Sequence, residues 1–195
     1  MTRIEYDPPG EFRRASFHEL FPAGGVYGFD VESTFMTGRK QFGPEFGLRT
    51  VQFATEGTAW VLDLADHEQF RAARALLGGS TVVSHTGMDV LAVRVALGVD
   101  VTDRNIDTRV LATMASPSVR AGGADLKSLA TRHCPELGLL DAERAKDELF
   151  AELWAAHGGK RNAPGAEVAA FGWANVTAGH PVFLRYAALA AVACL

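Results

Sequence analysis

Cysteine is scarce in this sequence: Cys134 and Cys194 are the only two in 195 residues, far apart and outside any CxxC or Cys/His zinc spacing. A disulfide framework and a zinc site are both excluded on that count, and a reducing compartment, the cytoplasm, is expected. Long apolar runs are missing as well. No segment reaches the ~18 residues of a membrane span, and "MTRIEYDPPG" has no apolar core of a secretory leader. Positive charge is in deficit, with 19 Lys and Arg against 23 Asp and Glu, a net charge of −4 and a pI near 5.9. No broad basic field therefore advertises nucleic acid, although a metal-dependent nuclease site is itself acidic. Repeats and low-complexity tracts are also lacking. What is present, 48% hydrophobic and 22% charged residues, suits one soluble domain with a sizeable core and no membrane partner.

Residues 1–24 read as a preamble, with a Pro-Pro-Gly turn at 8–10 and a short amphipathic helix around "FRRASFHELF". From 25 to 195 the pattern is that of a single domain. Three strand-like runs, "VYGFDVES", "LRTVQFAT" and "TAWVLDLA", are joined by "GRKQFGPEFG" and by a tight Glu56-Gly57 hairpin. A helix over "DHEQFRAARALLGG", a short buried strand over "STVVSH" and a helix over "GMDVLAVRVALG" come next. "NIDTRVLATMAS", "ADLKSLATRH" and "LDAERAKDELFAELWAAH" continue as helices, residues 158–166 as a flexible loop, and a last helix starts near Pro181. Strands first, then alternating helices and strands, predict α/β with a mixed sheet.

Within "GVYGFDVEST", residues 25–34, Asp30 and Glu32 interrupt an apolar run. Strand side chains alternate with period two, so both acids share a face. Buried charge is costly unless paired or holding a metal, whereas an exposed edge strand would carry it at no cost. Asp66/Glu68 and Asp141/Glu143 repeat the spacing, but they open polar helices, where acids serve the helix dipole. In "VVSHTGMDVLAV", residues 82–93, Asp89 breaks an apolar pattern where a buried strand runs into a helix. In "RYAALAAVACL", residues 185–195, Tyr186 and Ala190 lie four apart, on one helical face.

Taken in order, these pieces resemble the 3′–5′ exonuclease (proofreading) domain of family A DNA polymerases and their RNase D relatives. The flavour is that of actinobacteriophage polymerase I. That DEDD family with a Tyr-type third motif shows a strand ending D-x-E, an Asp opening a helix after a short strand, and then Y-x-x-x-D. Asp30 and Glu32 match the first motif, Asp89 the second and Tyr186 the third, while "IDTRVLATM" and "ADLKSLATRH" resemble intervening segments. Two positions depart from the pattern. His85 stands where the family has Asn, and Ala190 where it has its fourth carboxylate.

The resemblance implies an RNase H-like mixed sheet and two divalent cations, Mg²⁺ or Mn²⁺, about 3.5–4 Å apart. Asp30 would bridge both ions, Glu32 would serve the nucleophile side, Asp89 the second ion through its water shell, and Tyr186 would orient the attacking water. Ser33, Met36 and His85 would meet the terminal nucleotide of a single-stranded DNA 3′ end. Arg120, Lys127, Arg132, Lys160 and Arg161 are read as solvated surface charge, with backbone tracking as their functional option, and His180 as surface or helix cap. With Ala190 in place of a ligand, hydrolysis is expected to be impaired or absent. A DNA polymerase domain is expected as partner, either in trans or missing from this chain. The alternatives are a pseudo-exonuclease that binds DNA or docks a polymerase, and an RNase D-like RNA-trimming nuclease.

Overall fold

The structure is a computed structural model that describes residues 24–34, 42–56, 58–115 and 124–195. The expected preamble helix, Met36 and Arg120 lie outside the described residues. Strands β1 (Val26–Thr34), β2 (Gly47–Thr55), β3 (Thr58–Asp63), β4 (Thr81–Ser84) and β5 (Asn105–Asp107) form one sheet in the order β3-β2-β1-β4-β5. The β1–β2 and β2–β3 pairs are antiparallel, and β1–β4 and β4–β5 are parallel. The sheet is therefore mixed, and β1 is its middle strand rather than an edge. The helices are α1 (His67–Gly79), α2 (Gly87–Leu97), α3 (Thr108–Ala115), α4 (Leu126–His133), α5 (Leu139–Ala156), α6 (Gly165–Asn175) and α7 (Pro181–Val192).

Alternation along β1 gives the sheet two unlike faces. Tyr27, Phe29 and Val31 point to one side with Val51, Phe53, Leu62 and Val82, and they pack against Leu76, Leu77, Val90, Val93 and Leu97 of α1 and α2. Phe53 is the hub, its ring 5.7 Å from Phe29 and 6.2 Å, edge-on, from Tyr27. Each such fully buried aromatic contributes roughly 1.5–3 kcal/mol. The other face carries Gly28, Asp30 and Glu32, and beside them the cross-strand partners Ala54, Gln52 and Thr50.

Helix α7 covers that polar face. Its residues Ala187, Ala188, Leu189, Ala190, Ala191 and Val192 are all buried, and small side chains let its backbone come close. A Cβ at residue 28 would fall 2.3 Å from the Ala191 carbonyl oxygen, so only glycine fits beneath the helix there. Beyond α7, Phe150 and Leu149 of α5, Val176 and Phe183 form a second core.

Side-chain caps fix the helix starts. Asp66 accepts from the backbone N–H groups of Glu68 and Gln69 at 2.9 and 3.1 Å, and Thr86 and Asp125 cap α2 and α4 in the same way. Two expectations need correction. "NIDTRVLATMAS" is not one helix: Asn105–Asp107 extends the sheet beside β4, and Asp107 then caps α3 through the N–H groups of Arg109 and Val110. Helix α6 rises where only a loop from 158 to 166 was expected and nothing was foreseen beyond it. Its Gly172 lowers helix propensity, but a Cβ there would lie 2.1 Å from Phe150 Cγ, so the glycine serves packing. Among the described residues no helix is long and apolar enough to cross a membrane.

Candidate active site

Asp30 and Glu32 leave the middle strand on its α7 side, and just past Glu32 the register shifts, leaving Arg49 as a bulge on the neighbouring β2. Bulges of this kind recur next to active sites. The parallel register, which pairs Gly28 with Val83, brings the chain leaving β4 up beside the Asp30 end of β1. Asp89, in the first turn of α2, enters from there. Glu32 is 7% exposed and Asp89 5%.

Asp30 acts on both other acids, and Asp89 acts on Glu32. Burial pushes the Asp30 carboxyl up to about 7, against the Val31 N–H and Lys127, which favour its charged form. Glu32 is held well above the carboxylate range by burial first, then by the Asp30 and Asp89 charges, with Lys146 and Lys127 opposing. Asp89 is raised by burial, then by Asp30 and Asp107. Acids whose charges shift one another in this way occupy a single field.

Helix α7 and the turn that ends it bring Tyr186, Ala190 and Cys194 past the acids at intervals of four residues. Burial raises the Tyr186 phenol, and Glu32 and Asp30 add to it. One turn beyond Ala190, the Cys194 thiol is raised by burial, then by Asp30 and Asp89. Ala190, 4% exposed, sits between these two neighbours of the acids. Its methyl group therefore presents no polar atom at the point where α7 crosses the cluster.

Carboxylate oxygens are the donors that hard Mg²⁺ or Mn²⁺ prefers, so the chemistry of the set fits such ions. Its number does not. Among the described residues no three His, Cys, Asp or Glu side chains are gathered closely enough to cage a metal.

Of the remaining sequence-predicted residues, Ser33 lies at the bulge with its Oγ buried and without a hydrogen-bond partner among the described residues. His85 is braced inside the fold, with Nε2 2.8 Å from the Ala124 carbonyl and Nδ1 3.0 Å from Thr108 Oγ1, so neither ring nitrogen is left for a nucleotide. Lys127 pairs with Glu143 and faces the acids, whereas Arg132, Lys160 and Arg161 are exposed. His180 precedes α7, its Nδ1 buried without a partner among the described residues.

Sequence reasoning missed Lys146. It sits on α5, 6% exposed, with Nζ 2.9 Å from Asp147 Oδ1 and above the rings of Tyr186, Trp173 and Phe150 at 4.7, 5.1 and 5.4 Å from their centroids. The cation–π contacts offset part of the cost of removing an ammonium from water. In "AERAKDELF" it reads as one more charge on a solvated helix, and no local pattern marks it. Arg49 was also missed. It reaches from β2 to donate to the carbonyls of Trp173 and Val176, tying the end of α6 to the sheet.

Compared with known proteins, the chain matches no family model, no curated protein and no solved structure.

Proposed function

We propose that this chain has an RNase H-like fold and the acid site of a metal-dependent 3′–5′ exonuclease of the proofreading type, directed at the 3′ end of single-stranded DNA. In this reading Ala190 stands where a further metal-binding carboxylate is needed. One observation carries the proposal: Glu32 and Asp89, both buried, hold their protons more tightly because half-buried Asp30 stands beside them, and Tyr186 of the covering helix feels the charges of Glu32 and Asp30. A fold gains nothing from burying mutually repelling acids, and perturbed acids gathered in this way mark functional sites.

Asp30, Glu32 and Asp89 would hold the ions only when a carboxylate at position 190 completes the set. Divalent ions held there would lower the pKa of water and offset charge developing on a leaving oxygen. Tyr186 would orient the attacking water through its hydroxyl. Glu32 would accept a hydrogen bond from that water, and Lys146 would keep the surplus negative charge beside Tyr186 in check. Without a carboxylate at 190 the chain binds a 3′ end and cuts it poorly or not at all, which favours the pseudo-exonuclease form of this reading.

The test is release of nucleotides from a 3′-labelled single strand by the Ala190→Asp variant under saturating Mg²⁺ or Mn²⁺. Chelator and an added Asp30→Ala serve as controls, and RNA of the same sequence as comparison. Metal-dependent release by Ala190→Asp alone is the expected result. A folded Ala190→Asp variant with no activity on either strand would sink the exonuclease reading.

A further inference from the structure

Two polar side chains lie beside the acids with no exposure at all. Thr50 and Gln52 of β2 are 0% exposed, and in the antiparallel register they stand directly opposite Glu32 and Asp30. Directly opposed residues share a sheet face, with Cβ atoms about 4.5–5.5 Å apart. Gln52 Nε2 lies 2.6 Å from Thr50 Oγ1. Gln52 Oε1, at the other end of the amide, has no hydrogen-bond partner among the described residues. Buried polar groups are nearly always paired, so an orphan at this place requires a cause.

We propose that Gln52 is a positioning residue of the carboxylate site, anchored by Thr50 and holding Asp30 through the outer end of its amide. Thr50 suits the task because a hydroxyl donates or accepts with equal ease. A primary amide does both at once, and half a turn about its last bond exchanges oxygen for nitrogen. With nitrogen outward, Gln52 donates to a metal-binding Asp30 carboxylate. A neutral amide steadies Asp30 in this way without adding charge to the site. The inference rests on the exonuclease reading for its metal consequence but not for the hydrogen bond itself.

The test therefore has two arms on the full chain. In the first, without metal, the side-chain amide signals of Gln52 are followed by ¹⁵N–¹H NMR in the parent and in Asp30→Ala. Displacement of those signals and faster hydrogen exchange are expected, and signals indifferent to Asp30→Ala would overturn the proposal. In the second, Mn²⁺ affinity is compared between Ala190→Asp and Ala190→Asp/Gln52→Met. A loss of ~10–100-fold is expected at unchanged circular dichroism, the usual effect of removing a partner that orients a metal ligand. Equal affinity would overturn the positioning role. Thr50→Val, which withdraws only the anchor, replaces Gln52→Met if that variant does not fold, and it should also weaken Mn²⁺. If Ala190→Asp binds no Mn²⁺ at all, the exonuclease reading fails, and the amide signals alone decide Gln52.

Discussion

Replacing Asp30 by Asn should make this protein more stable above neutral pH, although it removes the central residue of the candidate site. The folded state holds the Asp30 proton up to about pH 7, against an ordinary value of 3.8. Between those values the folded chain binds more protons than the unfolded one, so the contribution of this group to stability falls as pH rises. The penalty is absent below about pH 3.8, grows from there to 7 and is complete above it. Over that interval a single carboxyl is worth on the order of 4 kcal/mol. Asn keeps the shape and an oxygen for the Val31 N–H, but it loses the stronger charge-assisted bond, so a gain of about 2 kcal/mol at pH 8 is expected. In a chain of 195 residues this raises Tm by about 4–8 °C. The assay is thermal unfolding of both chains from pH 4 to 8.5 in chelator. Asp100 and Asp125, whose carboxyls are lowered by hydrogen bonds from Thr102 and Ser128, act in the opposite direction in both chains and cancel from the difference. A gain absent at pH 8, or undiminished at pH 4, would refute the reasoning.

Ala190→Asp should be less stable than the parent in chelator, because it adds a further acid at a buried position, and should recover in Mn²⁺ by about 2.7 kcal/mol at a hundredfold excess over Kd; calorimetric melts with and without metal check both directions. Gly28→Ala should cost about 3 kcal/mol, because the obstacle is the Ala191 backbone oxygen rather than a movable side chain, and denaturant unfolding reads it. Lys146→Met should raise the proton affinity of Glu32 further, since that ammonium is the foremost charge opposing the shift; carboxyl ¹³C titration would show the midpoint move upward, and an unmoved midpoint would remove Lys146 from the site.

Much of this arrangement was legible because period and sequence order are local properties. Alternation put Asp30 and Glu32 on one face, and the strand-to-helix junction set Asp89 at a helix start. The four-residue spacing stacked Tyr186 on Ala190. Burial was harder to read. Thr50 and Gln52 alternate with Val51 and Phe53 in the way a solvent-facing side does, and only a helix of small residues lying over them makes that side an interior. Lys146 was illegible for the opposite reason, since it stands in a charged stretch and two of its three aromatic neighbours, Trp173 and Tyr186, come from other helices. The start of α3 was misread because three residues are too few to show a period, and α6 because its glycine answers to a phenylalanine on another helix.

The cage around Lys146 also gives the protein an optical property. Of three tryptophans, Trp173 is the one, among the described residues, whose ring faces both Lys146 and Tyr186, the latter at 6.2 Å between centroids. At that range light absorbed by the phenol passes to the indole before it is emitted. Charge placed along an indole displaces its emission wavelength, and here the charges are Lys146 and the acids beyond Tyr186. Trp173 is in effect a dye already installed beside Tyr186 and Lys146, so a change of charge at that pair can be followed by colour, without a label.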